Sequence, residues 1–133
     1  MAGTGAQDEV RKVIEDTLGA MNAGDAARLR SMLSERHDGV HIGTDGEEWD
    51  TSKQVADAVA AADGADDIQV VADDIDIHIQ GDVAWAEGHG RFVRADGSGQ
   101  RARMTWVLIR ENGQWKVVQS HASIGVPNAD IFG

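Results

Sequence analysis

The sequence predicts an α+β domain in which three helices precede a four-stranded antiparallel sheet. In residues 1–62, apolar side chains recur at helical spacing, whereas from residue 68 onward apolar and polar residues alternate. The alternating region is divided by three dipeptides typical of tight hairpin turns, Gly81-Asp82, Asp96-Gly97 and Asn112-Gly113. Helices followed by an antiparallel meander are typical of the α+β class.

Three helices are expected before the sheet. The first covers about residues 8–22, where apolar residues fall three and four positions apart. Asp25 suits the N-cap of a second helix, which buries Leu29. Thr51-Ser52-Lys53-Gln54 has the form of a capping box and opens a third helix that reaches about Ala62.

One short strand and four longer ones follow from the same pattern. Val40-His41-Ile42 is a short strand candidate that ends at a polar loop over residues 43–50. The four strands of the meander are expected at about residues 68–79, 83–93, 101–110 and 115–124. Because no repeat or linker interrupts this pattern, one domain is expected over residues 1–133, with a flexible tail at residues 1–7.

The composition argues against several classes of function. The net charge is −11, and residues 1–80 hold 18 Asp and Glu against 6 Lys and Arg, while residues 81–133 hold 5 against 6. Such an acidic chain repels nucleic acid and anionic membranes, so neither is an expected partner. The chain has no cysteine and no apolar stretch of the roughly 20 residues that span a bilayer. A cytoplasmic protein without a cofactor is therefore expected.

The turns also predict a register for the sheet. If Asn112-Gly113 is a two-residue loop, His121 lies opposite Met104. If Asp96-Gly97 is another, His89 lies beside Met104 on the neighbouring strand. One face then carries Trp85, Glu87, His89, Met104, Trp106, Gln119, His121 and Ser123. The opposite face carries Ile75, Ile77, Ile79, Ala84, Ala86, Val107, Ile109 and Val118. A bulge in the loop 95–99 would reverse the faces of one strand.

Neither predicted face is polar enough to be left in water. The helices can cover only one face of the sheet, so the other would expose a large apolar patch. Such a patch is unusual on a monomer, and the symmetric pairing of two copies buries it. A homodimer is therefore expected, with no choice made between the two faces.

Several segments along nearly the whole chain resemble one superfamily. They are Met21-Asn22-Ala23-Gly24-Asp25, Gly81-Asp82-Val83-Ala84-Trp85, and Asn112-Gly113-Gln114-Trp115-Lys116-Val117-Val118 with His121-Ala122-Ser123. These segments are similar to SnoaL-like members of the nuclear transport factor 2-like (NTF2-like) superfamily. Gly43-Thr44-Asp45 with Glu48-Trp49 resembles a loop of an uncharacterised bacterial subgroup. The resemblance implies a cone, with a strongly curved sheet around the helices, a pocket at the open end and dimers through the sheet.

The superfamily contains both enzymes and binding proteins, so the fold does not select a chemistry. His121 is the candidate acid or base, because the unperturbed pKa of imidazole is about 6.5. Glu87, or Asp45 or Glu48 from the polar loop, would orient this histidine or act as a second base. The residues expected to line a ligand pocket are Trp49, Trp85, His89, Met104, Trp106, Gln119, Ser123 and Glu48.

Some chemistries are disfavoured by the residues present. A site of the ketosteroid isomerase type needs a tyrosine, and the chain has none. An epoxide-hydrolase-like site needs an Asp–Arg–Asp set, but the strands beside Arg101 and Arg103 offer Glu87 on that face. His37 and His41 are four residues apart near a strand start, and the acidic stretches lack calcium-loop spacing. No metal site is expected.

Two functions remain open at this point. The first is a non-catalytic module that binds a small apolar or aromatic molecule or serves as a dimerising scaffold. The second is a lyase, isomerase or cyclase that acts on a polyketide-like or terpenoid-like substrate through His121 and a carboxylate. The tryptophan-rich lining favours the first, because no convincing acid and base pair accompanies it.

Overall fold

The computed structural model describes residues 2–44, 47–62 and 68–133, with side chains described from residue 5 onward. Its elements are helices α1 (Ala2–Ala23), α2 (Ala26–Met32), α3 (Ser52–Ala62) and α4 (Asn128–Phe132), and strands β1 (Val40–Ile42), β2 (Glu48–Trp49), β3 (Ile68–Gln80), β4 (Val83–Arg94), β5 (Gly99–Glu111) and β6 (Gln114–Ser123). The predicted α+β class is confirmed. The first helix begins at Ala2 instead of near residue 8, and β2 and α4 were not predicted.

The six strands form one sheet in the order β2-β1-β6-β5-β4-β3. The four long strands pair as the predicted meander. The short β1 joins the edge of this meander by pairing in parallel with β6, and β2 adds an antiparallel strand beyond it. The parallel pair places His41 between Trp49 of β2 and Ser120 of β6.

The helices cover one face of the sheet, and the core lies between the two layers. The largest fully buried side chains are Val10, Ile14, Leu29, Leu108 and Val117, which come from both layers. The same face of the sheet carries Ile75, Ile77, Ala84, Ala86, Met104 and Trp106, all buried in the same core. Burial of these side chains supplies the main driving force for folding.

The end of α1 is fixed to the sheet by one side chain. The amide of Asn22 donates from Nδ2 to the carbonyl of Val70 at 2.8 Å, and its Oδ1 accepts from the N–H of Val70 at 2.8 Å. The asparagine therefore satisfies both backbone groups of one β3 residue, as a neighbouring strand would. This contact fixes the C-terminal end of α1 over β3.

The predicted register is wrong at two places. The loop between β4 and β5 is one residue longer than expected, and β6 contains one residue more than regular pairing with β5 requires. The β4–β5 turn has three residues, with Arg94 N–H bonded to Ser98 O at 2.8 Å and Gly97 at φ +88°. His89 therefore lies opposite Arg103 instead of Met104. In β6 the pairing follows the prediction as far as Val117, after which Val118 is an extra residue in a bulge.

Because of these two extra residues, the side chains of β4 and of the second half of β6 lie on opposite faces from those predicted, relative to the side chains of β5. Trp85, Glu87 and His89 lie on the outer face, opposite to Met104 and Trp106 on the inner face. The inner face instead carries Ala84 and Ala86 from β4 and, after the bulge, Ser120 and Ala122 from β6. The predicted composition of both faces was therefore wrong, although the alternation along each strand was right.

The sheet bends sharply where β3 and β4 approach each other. A Cβ atom added at Gly88 would lie closer than 3.0 Å to the carbonyl oxygen of Asp74, and one at Gly90 equally close to that of Val71. The strand β3 has a bulge at Asp73 beside this point. Glycines and bulges together let a sheet curve strongly. This curvature wraps the sheet around α1.

Replacement of Gly90 by alanine should destabilise the protein. The new methyl group would press on the backbone of β3 and on the Met104 side chain, so we expect the free energy of unfolding to fall by about 1–3 kcal/mol. Gly19→Ala is the matched control, because Gly19 is an exposed position inside α1 with nothing within 4 Å of the added atom. That control should gain about 0.5–1 kcal/mol from helix propensity. Urea unfolding measures both, and equal stability of Gly90→Ala and the parent would contradict the account of the bend.

Candidate functional site

A cavity of about 230 Å³ opens between the helices and the inner face of the sheet. Most of its walls are apolar. The residues that line it are Thr17, Leu18, Met21, Leu29, Leu33, His41, Ile42, Gly43, Thr44, Glu47, Trp49, Val55, Val70, Phe92, Met104, Trp106, Val117, Ser120, His121 and Ala122. A largely apolar cavity with a few convergent polar groups is the usual form of a small-molecule site.

The main polar feature of the cavity is a contact between His41 and Ser120. The imidazole Nδ1 of His41 lies 2.7 Å from the Ser120 hydroxyl oxygen, a hydrogen-bond distance. His41 is only 5% exposed, although it lies in a short strand between two apolar residues. The parallel pairing of β1 with β6 places these two residues side by side.

The bulge in β6 decides which polar side chains enter the cavity. If Val118 were paired regularly and did not form a bulge, the inward residues after Val117 would be Gln119 and His121. With it, Ser120 and Ala122 face the helices. The bulge thus supplies a small hydroxyl group to His41 and moves a larger amide to the outer surface.

Burial controls the charge of His41. The loss of hydration disfavours the imidazolium form and lowers the pKa of His41 below its usual value of 6.5. Ser120, its hydrogen-bond partner, carries no charge that could offset this effect. His41 is therefore neutral at neutral pH, with one ring nitrogen able to accept a proton and the other carrying one.

The structure brings four of the predicted site residues to the cavity. Trp49, Met104 and Trp106 line it, as does His121, the candidate acid or base. Trp49 reaches the cavity from β2, whereas Met104 and Trp106 project from β5. His121 is exposed and lies at the C-terminal end of β6, next to Ile42 of β1.

A second group of predicted residues lies together on the outer face. Glu87, His89, His121 and Ser123 line a shallow depression of about 320 Å³ there, with Met104 also bordering it. Glu87 does not orient His121: its Oε1 lies 2.9 Å from Nε2 of His78. Glu87 and His121 each pair with Thr105, which lies on the strand between them, so their backbones are two strand spacings apart.

The remaining predicted residues do not line the cavity. Trp85 is on the outer face, 44% exposed, with its ring stacked on His78 at 5.6 Å between centroids. Gln119 is exposed on β6, and Glu48 is exposed on β2. Asp45, a candidate catalytic residue, lies outside the described residues.

The sequence reasoning missed His41 and Ser120 as a pair. The spacing of His41 from His37 suggests only a metal pair, and no motif in the sequence points to Ser120. The signal that was available is the position of His41 between Val40 and Ile42, since a histidine inside an apolar strand is expected to be buried. Its partner could not be read from the sequence, because 79 positions separate the two residues.

Comparison with known proteins gives the family. The profile of a family described as "SnoaL-like domain" matches residues 10–127. The chain belongs to the SnoaL-like domain family. Among curated proteins, none matches this SnoaL-like chain significantly. The resemblance stated from the sequence motifs is confirmed.

Solved structures confirm the NTF2-like fold of this SnoaL-like domain. An NTF2-like superfamily protein from Salmonella enterica matches with a TM-score of 0.79 at 21% identity, over 98% of this chain and 99% of the other. An NTF2-like protein of unknown function from Pseudomonas putida gives 0.80 at 22% identity, over 93% and 89%. A candidate dehydratase of the NTF2-like family from Streptomyces avermitilis gives 0.78 at 20% identity, over 90% and 96%. At these identities the likeness concerns the fold.

Two further findings concern metal binding and membrane-spanning helices. Within the described residues, no group of three or more His, Asp or Glu side chains is arranged to hold a metal ion. Over the same ranges, no helix is long and apolar enough to cross a membrane.

The lowered pKa of His41 predicts a dependence of stability on pH. Between the unfolded pKa of about 6.5 and the lower folded pKa, the unfolded chain binds a proton that the folded chain does not. The free energy of unfolding should therefore fall as the pH decreases from about 7.5 to about 5.5. Hydrogen bonds from Arg36 and Arg91 lower the pKa values of Asp38 and Asp73, so those carboxylates act at lower pH.

The variant His41→Asn should lose most of this dependence, because its side chain does not titrate. His37→Asn, at an exposed position, is the matched control and should retain it. Urea unfolding at several pH values measures the slope. A His41→Asn variant with the same slope as the parent would show that another group is responsible.

Proposed function

We propose that this SnoaL-like domain binds a small, largely apolar molecule in the inner cavity. The observation that carries the proposal is the contact between the buried His41 and Ser120 in the wall of a largely apolar cavity. Burial of a polar pair in such a wall costs free energy unless its hydrogen-bonding capacity is used. A ligand that fills the cavity removes apolar surface from water and hydrogen-bonds to this pair.

A second candidate function is an enzyme that moves a proton, such as a lyase, isomerase or cyclase acting on a polyketide-like or terpenoid-like substrate. The observation that favours it is the neutral state of His41, which leaves an imidazole ready to accept a proton. His121, which also lines the cavity, is a second group able to transfer a proton. The structural likeness to a candidate dehydratase from Streptomyces avermitilis is consistent with this function.

We also propose a homodimer formed through the outer face of the sheet. Val83 and Trp85 are 42% and 44% exposed, next to Val107 on β5. Two copies related by a two-fold axis would cover these apolar residues with each other. The cytoplasmic location expected from the sequence stays a prediction.

Ligand binding in the cavity is tested by native mass spectrometry of the protein purified gently from its host. We expect a stoichiometric small-molecule adduct on the parent protein. Ala122→Leu fills part of the cavity and should lose the adduct, whereas Ala61→Leu, at an exposed position of α3, should keep it. Thermal unfolding verifies that both variants fold. An adduct that survives in Ala122→Leu, or none on the parent, would count against binding at this site.

Release of the bound molecule, followed by chromatography and fragmentation mass spectrometry, separates the two functions. A binding protein carries the same molecule in the parent and in the folded His41→Asn variant. An enzyme whose base is His41 leaves unreacted substrate on His41→Asn, so the adduct differs in structure from that on the parent. For a dehydratase the adduct on the variant is heavier by one water molecule.

The dimer is tested by sedimentation velocity at micromolar concentration. Trp85→Lys places a charge in the proposed interface and should shift the protein from dimer to monomer. Phe132→Lys is the matched control, because Phe132 is a large, exposed apolar residue away from the sheet, in α4. A parent protein that sediments as a monomer, or a Trp85→Lys variant that remains dimeric, would reject this interface.

A further inference from the structure

We infer that the ligand of the inner cavity is a molecule of one or two fused rings that has no negative charge and carries a hydroxyl or carbonyl group. This inference rests on the proposed function and narrows it to a class of ligand. Four properties of the cavity lead to it: its volume, the charges that line it, the chemistry of its polar pair and the aromatic side chains in its walls.

The volume sets the size. An apolar cavity of about 150 Å³ in a protein accommodates a benzene molecule. The cavity here measures about 230 Å³, half as large again, which corresponds to a body of about nine heavy atoms by the same scale. A ligand with four fused rings does not fit without expansion of the core.

The charges exclude an anion. No lysine or arginine is among the described residues that line the cavity, and the ionisable side chains there are Glu47, His41 and His121. His41 is neutral for the reason given above, and the chain as a whole carries a net charge of −11. A carboxylate or phosphate moved into this cavity would lose its hydration and find no cation to replace it.

The polar pair sets the functional group. A neutral imidazole has one donor and one acceptor nitrogen, and the Ser120 hydroxyl both donates and accepts. The pair therefore suits a group that forms one or two hydrogen bonds without charge, such as a hydroxyl or carbonyl. A pure hydrocarbon would leave the remaining hydrogen-bonding capacity of the pair unsatisfied.

The walls suit a flat body. Trp49, Trp106 and Phe92 supply aromatic surfaces, on which rings stack or pack edge to face. Met21 and Met104 supply flexible thioether side chains that adapt to the outline of a ring. A ring system with one polar group uses both kinds of surface.

Three probes that differ in one property each test the inference by isothermal titration calorimetry near neutral pH. The probes are 2-naphthylmethanol, 2-naphthoate, which replaces the alcohol by a carboxylate on the same rings, and 1-pyrenylmethanol, which keeps the alcohol on four rings. We expect 2-naphthylmethanol to bind once per chain and at least tenfold more tightly than either of the others. Ala122→Leu should lose this binding and Ala61→Leu should retain it, which locates the binding in the cavity.

The outcomes separate this inference from the proposed function. Equal or tighter binding of 2-naphthoate overturns the exclusion of anions, and equal binding of 1-pyrenylmethanol overturns the size limit. Both results leave a cavity that binds ligands. If no probe binds while the native protein carries an adduct, the ligand class is wrong but the proposed function stands. If there is neither probe binding nor an adduct, both are rejected.

Discussion

The close approach of β3 and β4 at Gly88 and Gly90 is the constraint on which the rest of the structure depends. No side chain fits at either position, so the two strands can bend over the helices. A flatter sheet would move Met104 away from α1 and open the core to water. The cavity exists because the sheet curves enough to enclose it but the side chains at its open end do not fill it.

The histidines on the two faces of the sheet have different hydrogen-bond partners. The partners on the outer face suit a surface role, and the partner on the inner face suits a chemical one. On the outer face, His78 and His89 lie beside the carboxylates of Glu87 and Asp74. On the inner side, His41 has a serine as its partner. A carboxylate placed there would require the burial of a negative charge, which is far more costly than the burial of a hydroxyl group. The pair of His41 and Ser120 therefore makes one side of the cavity polar without adding a charge to it.

The sequence predicted the parts of the fold that depend on local pattern. The switch from helical to alternating periodicity located the helices and the long strands, because each period follows directly from backbone geometry. The Asn112-Gly113 turn gave the correct pairing from Glu111–Gln114 to Leu108–Val117. Trp49, Met104 and Trp106, which the sequence predicts in a ligand pocket, line the inner cavity, and their role in binding stays a prediction.

The errors came from single residues that local pattern does not reveal. The turn that contains Gly97 has three residues and not the two expected. In β6, Val118 is an extra residue, and the pattern of apolar and polar residues around it shows no break that would reveal the bulge. Each shift exchanged the faces of the strand that followed. The pairing of His41 with Ser120 depends on a parallel contact between distant segments, for which the sequence contains no turn that could set the register.

The bulge at Val118 also bears on how the cavity could diversify among relatives. Loss of this one residue would leave the turn at Asn112-Gly113 and the first half of β6 in place. It would also leave Gln119 opposite Val107 and Ser120 opposite Trp106, so the same residues of β6 would face inward in a strand without a bulge. A single codon deletion would then remove the bulge and its local twist, while the hydroxyl group of Ser120 and the methyl group of Ala122 stayed on the inner face. In this architecture, relatives that differ in length by one residue at this position can keep the same inward-facing residues, and a change in the chemistry of this wall takes a substitution at Ser120 or Ala122.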